Sequence, residues 1–320
     1  MEKNSPKYTS LSSFLQLNKL QEETTSKDNV FYKVDVLELY YNILRRVEKE
    51  PFKYWNISSL RNYLWAFFKL STYISECFSD SLNIYDSPEF SLFFTGLYSK
   101  YKSSGCKDGL FIFCKKDGDN IEKKVMSHSE LLNSEFKETL NKITMKSTFE
   151  EYLLGIKGLK APQIEYIGSD INEKHILIDG VDNVPIDYFK ILYRNESDNF
   201  LSYKDQKKLV EDSQKGEEFQ KYKDIMIKVI KQAIEKAQND NQFNQLPLNF
   251  FINCGQNQNP FQYLLPIDFT GTGNPDFCAC VSVDKEGKGT IKTLLKIDEV
   301  YGNVRVFGKD AVESVKDWWV

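Results

Sequence analysis

Between Val30 and Ile74 the apolar residues return every three or four positions, whereas after Pro247 they come in short runs fenced by Gly, Asn and Pro. This change of period constrains the fold more than any other feature. A 3.6-residue repeat buries one stripe of a helix, and short apolar runs between turn residues read as strands. Val36, Leu39, Tyr40, Ile43, Leu44 and Val47 form the first stripe, which Pro51 stops. Leu60, Tyr63, Leu64, Phe67, Phe68 and Ile74 form the second, with Ser58 or Ser59 as its expected cap.

Asp86, Ser87 and Pro88 mark a turn, after which EFSLFFTGLYSKY and DGLFIFCKK read as strands that bend at Gly96 and Gly109. Asp117 to Asp119 is a further turn. Helix is expected from Ser129 to Leu140, with a looser run to Leu159. Gln163 to Tyr193 reads as a connecting region in which His175 ends a strand. A long helix is expected over Lys204 to Asn239, or at least over its second half, where Tyr222, Met226, Ile230, Ala233 and Ala237 share a face. LNFFINC, FQYLLPIDF, DFCACVSV and TIKTLLKI then follow as strands, and their short turns favour antiparallel pairing.

The pattern predicts an α+β fold, a mostly antiparallel sheet flanked by helices with an N-terminal helical portion. Residues 1–28 are polar and read as a flexible segment. One α+β domain is expected over 29–320, with a helical front over about 29–85 and a strand-rich part over about 246–320. No linker rich in Gly, Ser or Pro divides it.

The formal net charge of -4 gives no long-range attraction to a polyanion, so a nucleic acid would need a local basic groove. Six cysteines and two histidines lack the spacing of a zinc site. Cys278 and Cys280 alternate with Ala279, so both point to one face as buried, reduced thiols. No run reaches the roughly 20 apolar residues of a membrane span. Cytoplasmic localisation is the expectation.

His175 carries an imidazole, a group suited to proton transfer or phosphate contact. Arg305 has a planar donor fork suited to phosphate or carboxylate, or to an ion pair with Asp298 or Glu299. Asp298 also suits a helix cap. Asp268, Asp276 and Asp298 are hard oxygen ligands of the kind Mg²⁺ prefers, although residues of this type beside Gly and Pro usually shape turns. GTGNP, Gly271 to Pro275, lacks the Lys of a phosphate loop and reads as a hairpin loop. Phe111, Phe113, Phe250 and Phe251 would stack bases if exposed and fill a core if buried.

LRNYLWAFFKL (Leu60 to Leu70), FFTGLY (Phe93 to Tyr98), HILIDGVDNVP (His175 to Pro185), FQYLLPI (Phe261 to Ile267) and TIKTLLKIDEVYGNVRV (Thr290 to Val306), closed by Trp318 and Trp319, come in one order. Together they resemble the bacterial family known as domain of unknown function 3825, from about residue 55 to the end. Phe94 stands where that pattern has Asn, and Asn183 stands near the place of its Arg. His175, Asp179, Asn303 and Arg305 are retained. The family's association with cold-shock-like and winged-helix modules implies work on RNA.

The expected function is therefore an RNA- or nucleotide-associated binding domain. His175 and Arg305 are its candidate reactive pair, and Asp179, Asn303, Tyr301 and Thr95 its ligand contacts. The alternatives are a phosphoester-cleaving or nucleotide-modifying enzyme on His175 and Arg305, with or without Mg²⁺, and a scaffold that meets a protein partner through the helical front.

Overall fold

The computed structural model describes residues 11–15, 34–48, 55–78, 83–101, 108–117, 120–141, 143, 163–171, 173–179, 181, 203–214, 216–240, 243–250 and 261–319. Residues 1–10, 16–28, Cys106, Cys254, Phe251 and Asn183 lie outside them. The fold class is α+β. The chain gathers into two compact units, Met1–Leu159 with Arg305–Val312 and Lys160–Val304 with Glu313–Val320.

The first unit opens with α1 (Leu11–Phe14), α2 (Val34–Arg46) and α3 (Ile57–Phe78). Asn56 caps α3, in place of the expected Ser58 or Ser59. Its Oδ1 accepts the Ser59 amide at 2.8 Å, and Ser59 Oγ accepts the Asn56 amide at 3.1 Å. This reciprocal pair satisfies donors that the first helical turn leaves open.

Strands β1 (Ile84–Asp86), β2 (Phe90–Tyr98), β3 (Gly109–Asp117) and β4 (Asn120–Ser127) follow as one antiparallel sheet in sequential order. Phe90, Leu92, Phe94, Phe111 and Phe113 pack with Leu131, Leu140 and Ile143, while Phe93 faces Phe14, Phe67 and Phe68. Burial on both faces explains why large apolar residues in β2 occupy successive positions instead of alternating with exposed ones. It also makes Phe111 and Phe113 core residues. β4 is a strand that the apolar pattern does not announce, because Glu122 and Lys124 are exposed along an edge and Val125 alone supplies a buried aliphatic among its described side chains. The expected helix from Ser129 to Leu140 is two short helices, α4 (His128–Leu132) and α5 (Lys137–Leu140). Ser127 and Glu130 close a capping box on α4.

The second unit holds β5 (Tyr166–Ile171), a π-helical turn at His175–Asp179, α6 (Tyr203–Asp212), α7 (Glu217–Asn239), β6 (Leu248–Phe250), β7 (Phe261–Ile267), β8 (Phe277–Val283) and β9 (Lys288–Lys296). Its sheet order is β5-β9-β8-β7-β6, antiparallel except for β5 beside β9. β5 lies where the sequence reads as a connection. The long helix is broken where Gly216 takes an extended conformation, φ -87 and ψ 163, at the start of α7. Tyr222, Met226, Ile230 and Ile234 of α7 share a core with Tyr263, Leu265, Phe277, Ala279, Val281, Ile291 and Leu294. Ile291 and Leu294 are three residues apart yet face one core, because the register slips as Cys280 pairs with Thr293 and Val281 with Ile291. The bulge turns Lys292 out to solvent.

After β9 come α8 (Ile297–Arg305), α9 (Lys309–Glu313) and a 3-10 turn at Lys316–Trp319. No helix among the described residues is long and apolar enough to cross a membrane.

Candidate nucleic-acid interface

In the first unit backbone hydrogen bonds tie the end of α2 to the end of β2. The Glu48 amide donates to the Tyr98 carbonyl at 2.8 Å, the Lys100 amide donates to the Arg46 carbonyl at 2.8 Å, and Val47 bridges to Ser99. Val47, 6% exposed, is the apolar pin at this junction. The ties set the Arg46 backbone beside Lys100. Arg45 and Arg46 occupy the last turn of α2, where cations also offset the negative end of the helix dipole.

Two large aromatic side chains are left in water here. Tyr101 is 65% exposed, with the Lys100 ammonium 5.1 Å from its ring centroid, and Tyr41 is 49% exposed one turn before Arg45 on α2. The buried stripe of Leu39, Tyr40 and Ile43 sends Tyr41 and Arg45 to the opposite side. Acids temper the charge. Arg46 Nη1 donates to Glu130 Oε2 at 2.7 Å, and Glu38 and Glu48 lie on the same segment.

An aromatic nest packs on β2 at Gly96. Tyr63 stacks on Phe67 with centroids 5.5 Å apart, and Trp55 meets the Tyr63 ring edge-on at 5.3 Å. The Arg305 guanidinium carbon lies 6.0 Å from the Tyr63 ring centroid, at the outer reach of a cation–π contact. Gly96 closes the nest with a left-handed φ of 73°. A Cβ there would stand 2.5 Å from the Tyr63 hydroxyl oxygen and 2.7 Å from Phe67 Cζ, so the position excludes a side chain on space as well as conformation.

Of the residues singled out in sequence, Thr95 and Arg305 fall in the first unit. Thr95 is fully buried, and its hydroxyl donates to the Leu110 carbonyl at 2.7 Å, a bond that spans two strands. Arg305 is 4% exposed, inside the unit rather than on an open surface. His175, Asp179, Tyr301 and Asn303 belong to the second unit. His175 is exposed and opens the π-helical turn instead of ending a strand, next to the Glu173–Lys223 ion pair at 2.6 Å. Tyr301 is fully buried on α8, Asn303 is half-buried, and the Asp179 side chain lies outside the described atoms.

The candidate acids are turn formers. Asp268 accepts the amides of Thr272 and Gly273 at 3.0 and 2.8 Å, and Asp276 accepts those of Phe269 and Thr270 at 2.8 Å each. They organise the loop at Gly271 to Pro275, where Gly271 and Gly273 have positive φ. Asp298 lies in the first turn of α8. Among the described residues no group of three His, Cys, Asp or Glu side chains is placed to hold a metal.

The described thiols are poor nucleophiles. Cys114, Cys278 and Cys280 are free and buried. Burial pushes Cys114 and Cys280 up to about 12 and Cys278 well above its ordinary value. Such groups stay protonated at neutral pH, and the thiolate is the reactive form.

Tyr41, Arg45, Lys100 and Tyr101 were not singled out in sequence. The signal was present as an aromatic on the polar side of the first helical stripe and as the alternation Tyr98-Ser99-Lys100-Tyr101-Lys102 after a strand. No protein-family model, curated protein or solved structure matches the chain.

Proposed function

We propose that this chain is a binding module for single-stranded RNA, and that its contact surface is the junction of α2 and β2 bearing Tyr41, Arg45, Lys100 and Tyr101. One observation carries the reading: Tyr101 is 65% exposed with a lysine ammonium held over its ring. A solvent-exposed ring stacks on any base, and adjacent cations follow the phosphates, which is how sequence-tolerant single-strand binders work. The resemblance to the domain of unknown function 3825 family supports the same ligand class. A binding role also agrees with thiols that burial keeps protonated. We place the protein in the cytoplasm, where its free cysteines remain reduced.

The total charge of -4 and the acids beside the patch keep affinity modest and strongly salt-dependent. Titration of a fluorescent single-stranded oligouridylate, a duplex of equal length and a panel of mononucleotides at two salt concentrations tests the reading. The expected order is single strand, then duplex, then mononucleotide. Saturable, salt-insensitive binding of a mononucleotide would favour a nucleotide pocket, and no binding of any probe would favour a protein scaffold.

A further inference from the structure

The segment Arg305–Val312 lies in sequence between the two stretches of the second unit, yet it belongs to the first. Val306, Phe307 and Val312 are buried at 0%, 7% and 2% exposure, and Arg305 lies over Tyr63. Tyr63 and Phe67 in turn press on Gly96, and Gly96 sits in the irregular stretch of β2 between Phe94 and Tyr98. That irregularity turns the strand where the Tyr98 carbonyl and Lys100 amide meet α2. A continuous series of contacts thus leads from Arg305, through Tyr63 and Gly96, to the residues that display Lys100 and Tyr101.

We propose that Arg305 is a positioning residue for the Lys100–Tyr101 surface, holding Tyr63 against Gly96 so that the bend of β2 keeps one geometry. It makes no contact with nucleic acid itself. The inference rests on the reading of that surface as an RNA site, and it assigns Arg305 a role that its sequence neighbourhood does not suggest. Arginine suits the position because a permanently charged planar group spreads its charge over a fork that still reaches the Tyr63 ring at 6.0 Å, whereas a lysine is a compact point charge. Packed interiors transmit such a loss, since the ring moves into whatever space the side chain leaves.

The test uses the full chain with Arg305→Ala, Arg305→Lys and the milder Tyr63→Phe, read by amide hydrogen exchange and by oligouridylate binding. In Arg305→Ala the amides of Tyr98, Lys100 and Glu48 should exchange about tenfold faster than those of β3, a local opening and not a global one. Oligouridylate affinity should fall about threefold or more while the salt slope stays unchanged, because no phosphate contact is lost. Arg305→Lys should restore neither property. Tyr63→Phe should quicken the same amides to a smaller degree. Unchanged exchange at these amides in both the Arg305→Ala and Tyr63→Phe variants overturns the proposal. A salt slope shallower by about 0.7 in Arg305→Ala also overturns it, by showing direct phosphate contact. If the wild-type chain binds no oligouridylate, the RNA reading fails, and the exchange data still decide whether Arg305 positions the strand.

Discussion

Arg46 Nη1 and the Ser127 amide share one acceptor, Glu130 Oε2, at 2.7 and 2.6 Å. A single carboxylate therefore closes the capping box of α4 and also takes up one of the two cations at the end of α2. Both partners are substantially exposed, so the pair adds little stability. Its larger effect is on charge, because it withdraws Arg46 from the surface that Arg45 and Lys100 present.

Glu130→Gln should therefore strengthen RNA binding. Gln still accepts from the Ser127 amide, while Arg46 becomes available to phosphate. The slope of log K against log salt should steepen by about 0.7, the value of one added contact on a single strand. Stability should change by no more than about 0.5 kcal/mol, as for most surface substitutions. Affinity measured across a salt series together with a urea titration reads both quantities, and a shallower slope would contradict the assignment.

Tyr101→Ala should cost about 1–3 kcal/mol of binding free energy, the usual value of one base–aromatic stack, and Tyr101→Phe should cost almost nothing. Neither should alter the salt slope. Fluorescence titration of the two variants separates stacking from hydroxyl chemistry, since equal losses in both would point to a hydrogen bond from the phenol.

Gly96→Ala should destabilise the first unit by about 2–4 kcal/mol, the sum of a left-handed backbone penalty and an overpacked contact. The φ of 73° and the 2.5 Å approach to Tyr63 are the causes. Chemical denaturation followed by tryptophan fluorescence gives the number. A loss under about 0.5 kcal/mol, the range of an ordinary surface change, would mean that the ring and the bend yield easily.

The buried thiols set an alkaline limit. Cys114 and Cys280 rise from 9.0 to about 12 in the folded chain because burial disfavours the thiolate. A raised folded value means that the unfolded chain loses its protons first. This contribution is complete below about pH 9 and declines as pH rises towards 12. Thermal unfolding should accordingly show a falling midpoint above pH 9, and Cys280→Ala should make that fall less steep. Cys114, Cys278 and Cys280 should also resist thiol reagents in the native state. Prompt labelling at neutral pH would contradict their burial.

The sequence by itself determined which elements have a strong apolar period. α2, α3, α7 and β2, β3, β7, β8 and β9 are legible because each buries a stripe or a run of large side chains, and that requirement is written locally. The same holds for the turn roles of Asp268 and Asp276, whose neighbours Gly and Pro already mark a loop. β4 and β5 were not legible. β4 has polar residues along its exposed edge and is set by its hairpin with β3, while β5 pairs on one side only, with β9, which lies far along the chain. His175 follows the same rule, since alternating neighbours fit a strand until packing winds them into a π-helical turn.

Tertiary structure alone decided the candidate surface. Nothing local says that Arg46 and Lys100, 54 positions apart, share a backbone hydrogen bond, or that Arg305 returns to lie on Tyr63. Exposure is equally non-local. The sequence gives Tyr101 and Tyr63 the same side chain, and only the packing of the unit leaves one in water and closes the other in, because burial depends on what the rest of the chain brings to that point.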